Sequence, residues 1–193
     1  MNAAAESRTR ASSDRRILQA ARRLVQLGGV AELSMGDVAA EAGVSKALVL
    51  YHFGDRDSLL AALVEDIGGD VIGRARSALT RDDVPPLDAH WAWLDRELSA
   101  GDVRALVSLA QCRTPATAAA SRRVSDSRSA LAAAQVEQLF VRLGLEPRMP
   151  PALIAETILA FADGLACQGE AGAGRDPRGA FDVLWLALLT LHE

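Results

Sequence analysis

Proline is absent from the first 84 residues of this 193-residue chain, and the seven prolines that follow stand at 85–86, 115, 147–151 and 177. Proline removes a backbone donor and clashes with the turn before it, so a helix seldom continues through one. Together with the Gly-rich run from Gly169 to Gly179, these positions cut the chain into long Ala/Leu/Arg/Glu segments. Each segment carries apolar residues at helical spacing. Alternating β-branched runs and Asn-Gly hairpin signals are missing. The expected fold is all-α. Helices are predicted over 14–27, 35–42, 46–53, 56–79, 87–99, 102–112, 115–143, 151–168 and 178–191.

Local signals set several of the boundaries. Gly28-Gly29 stops the first helix. Ser34-Met35-Gly36-Asp37 reads as a capping box with Asp in the usual Glu position, and Ser45 and Asp55 are placed to cap the next two helices. Pro151 and Pro177 suit first-turn positions, where a missing N–H costs nothing.

Half of the residues are apolar and 24% are charged, a balance that excludes intrinsic disorder. The longest apolar run, Val183 to Leu189, is far short of the ~20 residues needed to cross a bilayer. No secretory signal is visible in the polar first ten residues. Cys112 and Cys167 stand too far apart for a zinc cluster or a disulfide framework. A cytoplasmic protein without membrane contact, metal or cofactor is expected. The net charge of −4 conceals an asymmetry, because residues 1–30 hold six arginines against Glu6 and Asp14. A basic segment on an acidic body can still steer toward phosphates.

Residues 34–53 carry the informative chemistry. Two short helices joined by a tight turn at Gly43 match the helix-turn-helix unit, whose second helix enters the major groove of DNA. Val38, Ala39, Ala42, Val44, Val49 and Phe53 supply the small and apolar residues for the crossing. Lys46, Ala47, Leu50 and Tyr51 share one face of the second helix by i, i+3 and i+4 spacing, opposite Val49 and Phe53. Lys46 is the only lysine and Tyr51 the only tyrosine in the chain. A face bearing both fits nucleic-acid contact better than burial.

On these residues the segment 14–66 resembles the DNA-binding domain of the TetR family of bacterial transcriptional regulators. The matching stretches are Ile17-Leu18-Gln19-Ala20-Ala21, Leu24-Val25, Ser34 to Ala39, Glu41 to Lys46, His52-Phe53 and Arg56 to Leu60. The resemblance implies that Ser34, His52 and Arg56 hold phosphates, with Met35 and Ser45 beside them at the helix starts. It implies groove reading by Lys46, Ala47 and Tyr51. Leu48 either touches a thymine methyl or packs inward. Leu50 stands where the family usually has Tyr, so the hydroxyl expected there is missing and Tyr51 is the residue left to replace it.

The expected organisation is a mobile basic arm at 1–13, a helix-turn-helix domain at 14–55, and a helical ligand-binding and dimerisation domain at 56–193. The second domain shows no catalytic constellation, and an enzyme is not expected. Its last two helices are apolar around most of their circumference, which points to burial on two sides. The resemblance implies a homodimer interface there, expected at Leu153, Ile154, Ile158, Phe161, Leu165, Leu184, Trp185, Leu188 and Leu191. Candidate lining for an apolar small-molecule effector is Trp91, Leu94, Leu106, Leu109, Cys112, Leu139, Phe140 and Phe161. The function expected is a ligand-responsive regulator, a repressor, that binds a palindromic double-stranded operator and is released by an inducer. The alternative is a small-molecule-binding or interaction protein of the same fold without operator binding.

Overall fold

The computed structural model describes residues 3–31, 33–78, 84–168 and 176–190, with the backbone alone for 3–9. Among these residues all regular structure is helical: α1 (Ala3–Gly28), α2 (Met35–Ala42), α3 (Lys46–Phe53), α4 (Arg56–Ala78), α5 (Pro86–Ala100), α6 (Asp102–Ala110), α7 (Pro115–Leu143), α8 (Pro151–Gln168) and α9 (Pro177–Leu189). Proline stands at the first position of α5, α7, α8 and α9, where its fixed φ suits helix initiation. The loop at 79–83, the connector at 169–174 and Leu191 lie outside the described residues.

The caps fall where the sequence places them. Ser34 Oγ accepts from the Asp37 N–H at 3.2 Å and donates to Asp37 Oδ2 at 2.5 Å. Ser45 Oγ accepts from the Leu48 N–H, and Asp55 Oδ1 from the Ser58 N–H. Gly43 closes α2 with φ 63° and ψ 40°, a left-handed conformation that a Cβ disfavours. The largest departure is the start of α1, at Ala3 instead of residue 14; α6 and α9 each end two residues earlier than expected, at Ala110 and Leu189. Residues 3–13 contain no Gly or Pro and include Ala and Arg, strong helix formers, so nothing local halts the helix. An arm at 1–13 was the expectation; from Ala3 onward its backbone is helix.

The chain divides by packing into two compact units, residues 1–69 with 105–124, and residues 70–104 with 125–193. The first gathers α1 to α3, the start of α4 and the start of α7. Its core is Ile17, Ala20, Ala21, Val38, Val49, Leu59, Leu60, Leu63 and Ile67, each fully out of water. The second is built around Trp93, Leu94, Val136, Phe140, Ile154, Phe181 and Trp185. Residue 55, proposed as a boundary of role, is therefore not where packing divides.

Within the first unit, Gly68 marks a tight helix crossing. A Cβ built on it would fall 2.5 Å from Val124 Cγ1 and 2.6 Å from Cγ2, and Arg123 pairs with Glu65 one turn away. Gly68→Ala gains about 1 kcal/mol of helix propensity but overpacks a β-branched neighbour, at a cost of about 1–3 kcal/mol. The expected result is a lower denaturation midpoint, restored when Val124→Ala is added. A midpoint that rises in the single variant would show that the crossing is loose.

Candidate DNA-reading surface and effector cavity

The second helix of the helix-turn-helix displays its expected face. Lys46, Ala47, Leu50 and Tyr51 are exposed, Tyr51 by 68%, while Val49 is fully buried between them. Leu48 is half-buried. Tyr51 is held on both sides: the Arg10 guanidinium carbon lies 5.4 Å from its ring centroid, and His52 meets it edge-on, also at 5.4 Å. Arg10 reaches it because α1 extends ahead of residue 14. An Arg placed over a tyrosine ring is attracted by the ring's negative face, which keeps the phenol standing out from the helix.

The other expected phosphate contacts resolve differently. Ser34 and Ser45 are exposed at the helix starts, with their hydroxyls engaged as caps. Met35 is buried in the first unit. The His52 side chain is only 3% exposed, and its Nδ1 lies 2.5 Å from Asp14 Oδ1, so it joins α3 to α1 and faces inward. Arg56 donates from Nε to the Leu33 carbonyl at 2.8 Å and from Nη2 to the Val30 carbonyl at 2.6 Å. It clamps the α1–α2 loop to the start of α4. His52, Arg56 and Met35 thus each make contacts within the first unit.

Much of the basic charge of α1 is likewise used inside the unit. Arg16 donates to the Ala42 and Gly43 carbonyls at the turn of the motif, Arg23 pairs with Glu41 at 2.8 Å, and Arg22 lies 3.8 Å from Asp66. Asp57, next to Arg56, accepts from the hydroxyls of Thr114 and Thr117 and from the N–H groups of Ala116 and Thr117. These donors hold its carboxyl below the usual 3.8 and cap the start of α7.

The second unit contains a cavity of about 50 Å³. Its walls come from α4 (Val71, Ile72, Ala75), α5 (His90, Trp93), α7 (Arg128, Leu131, Ala132, Gln135, Val136, Leu139), α8 (Ile158, Leu159, Ala162) and α9 (Trp185). Of the lining expected from sequence, Leu139 is present. Leu94 and Phe140 are ordinary core of this unit, and Leu106 and Leu109 are core of the first. Cys112 also belongs to the first unit. Trp91 stacks against Phe181 beneath Arg178, and Phe161 is half-buried away from the wall.

Polar residues give this cavity its character, and sequence reasoning missed them. Arg128 donates to Asp163 at 2.6 Å. Gln135 Nε2 donates to the Ala75 carbonyl at 3.2 Å. Burial among Trp93, Phe181 and Trp185 pushes the His90 imidazole down from 6.5 to about 4. The indole N–H groups of Trp93 and Trp185 are buried without a hydrogen-bond partner. His90 and Trp93 stand three apart on α5, a spacing that already put them on one face.

The expected dimer residues among those described fall into three sets. Ile154, Ile158, Trp185 and Leu188 are buried within this unit's own core, so they offer no surface to a second copy. Phe161, Leu165 and Leu184 are half-buried. The exposed apolar residues are Leu153 on α8 at 44% and Val183 and Leu186 on α9, each at 68%. Sequence periodicity found two apolar helices but not which side remained outward.

Residues 17–63 match the family model described as bacterial regulatory proteins, tetR family. The HTH-type transcriptional regulator TtgR of Pseudomonas putida is 32% identical over 71 residues, 37% of this chain and 34% of that protein, so the match spans about a third of the relative's length. A transcriptional regulator from Rhodococcus sp. Rha1 shares the fold with a TM-score of 0.77 over 93% of this chain and 97% of that one, at 21% identity. The multidrug binding protein EbrR, solved with imidazole, gives a TM-score of 0.63 at 25% identity over 91% of this chain and 94% of its own.

Proposed function

The chain belongs to the TetR family of bacterial regulatory proteins, whose members are DNA-binding regulators and not enzymes, and from that premise we propose that it is a ligand-responsive transcriptional repressor acting as a homodimer in the cytoplasm. The observation that carries the reading is the outward face of α3, where Lys46, Ala47, Leu50 and Tyr51 are exposed around a buried Val49. A two-fold dimer presents two such helices about one DNA turn apart, ~34–36 Å, which calls for a near-palindromic operator. The exposed pair Val183 and Leu186, three apart on α9, supports a second copy packing against that helix. No described helix is long and apolar enough to cross a membrane. The cavity of the second unit is the proposed effector site, and EbrR, a multidrug binder of this fold, lends it support. An effector releases DNA only if it binds the non-reading conformation more tightly.

The test is a mobility shift of full-length protein on DNA flanking its own gene, at two salt concentrations. A palindromic fragment should be retarded, and less so at high salt because displaced counterions are replaced at lower cost. Lys46→Ala and Tyr51→Ala are each expected to weaken specific binding by about 1–3 kcal/mol. Unchanged affinity in both variants would mean that another face reads the DNA. Absence of any shift at low salt would favour an effector-binding protein of this fold without an operator.

A further inference from the structure

The effector reading above leaves open what kind of molecule the cavity takes, and its walls carry the answer further. We propose that the cavity binds an uncharged, mostly apolar molecule bearing a hydrogen-bond acceptor such as a carbonyl oxygen, with Trp93 and Trp185 as the donors. The inference rests on the cavity being the effector site.

Two buried indole N–H groups without partners are the first observation. Buried donors in native proteins are almost always satisfied, because an unmade hydrogen bond keeps the full desolvation penalty. Here both orphans belong to residues lining one cavity. The His90 ring centroid is 5.7 Å from that of Trp93 and 5.3 Å from that of Trp185, so the two indoles bracket a single imidazole. One acceptor group reaching this cluster would restore what the folded chain leaves unmade.

Charge balance is the second observation. Arg128 is the wall's one cation by sequence, and Asp163 already accepts from it at 2.6 Å and 3.4 Å. An anionic guest would compete with a carboxylate covalently held in place, and a cationic guest would face the guanidinium. His90 stays a neutral imidazole near pH 7, since burial holds it at about 4. Gln135 spends its amide N–H on the Ala75 carbonyl. The partnerless buried groups in these walls are the two indole donors, so a guest that accepts is the one they favour.

Four ligands of one shape separate the terms: acetophenone, ethylbenzene, benzoate and benzylamine, titrated into full-length protein by calorimetry and tryptophan fluorescence. Acetophenone should bind about tenfold tighter than ethylbenzene, the difference one hydrogen bond makes, and both charged analogues more weakly than either. In protein labelled with 15N-tryptophan, the indole resonances of Trp93 and Trp185 should move downfield with acetophenone, and that of Trp91 should not. In Trp93→Phe/Trp185→Phe the acetophenone advantage should vanish while ethylbenzene binding stays within about threefold, reporting an intact cavity. Equal affinity of acetophenone and ethylbenzene for the unmodified protein, tighter binding of either ion, or no binding by any of the four would overturn the proposal. If the double variant does not fold, the indole resonances of the unmodified protein decide alone, and their failure to move overturns it. Operator affinity is read separately: an acetophenone complex that holds DNA as tightly as the free protein defeats the effector reading and leaves the cavity's chemistry standing.

Discussion

Arg74→Met should cost about 3–5 kcal/mol of stability, the largest loss expected from a single substitution outside the apolar core. The reason lies in the second unit, where Glu97 is 1% and Asp102 2% exposed. Arg74 Nε and Nη2 donate to the two Glu97 oxygens at 2.5 and 2.8 Å, and Nη2 also donates to Asp102 at 2.7 Å. One guanidinium thus joins α4, α5 and α6 and offsets part of the charge of two buried carboxylates that nothing apolar around them could solvate. The two acids hold the Arg74 guanidinium above its usual range in return, hydrogen bonding by Glu97 being the leading cause. Methionine keeps the length of the stem and removes the charge, so the loss reports electrostatics more than packing. Urea denaturation followed by circular dichroism measures it. Adding Glu97→Gln and Asp102→Asn should recover most of the loss, because the burial penalty of the charges goes with them. A deficit below about 1 kcal/mol in Arg74→Met would mean the acids find water or another partner.

The second large effect is a pH dependence centred on His90. Burial lowers its imidazole from 6.5 in the unfolded chain to about 4 in the fold. Between those values the unfolded chain binds a proton that the folded chain refuses, so stability falls as pH falls. The contribution is fully present above pH 6.5, declines through the interval and is gone below about 4. At 1.36 kcal/mol per pH unit the whole interval is worth about 3 kcal/mol. Asp57 acts in the same direction but lower, since its carboxyl is held below 3.8 and its hydrogen bonds from Thr114 and Thr117 are lost only in stronger acid. Denaturation at steps from pH 7 to 4.5 therefore isolates the histidine. His90→Phe, which keeps an aromatic ring between Trp93 and Trp185, should flatten the profile over that range. An identical slope in the variant would place the titrating group elsewhere.

How far the molecule could be read from its residues depends on the range over which each signal acts. Pro115, Pro151, Ser34, Ser45 and Gly43 act within a turn of where they stand, and the helices they bound lie where expected. Lys46, Ala47, Leu50 and Tyr51 share a face because of α3's own periodicity, so their exposure was legible too. His52 and Arg56 were not legible in the same way. Their partners, Asp14, Val30 and Leu33, stand far off in the chain, and a side chain free to reach DNA differs from one already engaged only by that distant partner. The start of α1 is illegible for the opposite reason: residues 3–13 carry no stop signal, and a polar composition does not by itself mark an absence of structure. The cavity was the least visible feature. Trp93, Trp185 and Arg128 come from three helices, and an apolar residue lining a void has the same local pattern as one filling the core.

Arg56 also bears on how the reading helices could be exchanged. Its guanidinium recognises the carbonyls of Val30 and Leu33, groups that every residue type supplies, so this clamp depends on the path of the loop and is indifferent to its side chains. Asp57 meanwhile keeps its partners Thr114 and Thr117 beyond the same seam. A graft that replaces residues 1–55 by another sequence with the same loop path would leave both anchors of α4 intact, with Arg22 and Asp66 as a pairing to be matched by identity across the join. The first turn of α4 is in this sense a standard fitting, which would let the proposed DNA specificity be rewritten while the rest of the chain is kept.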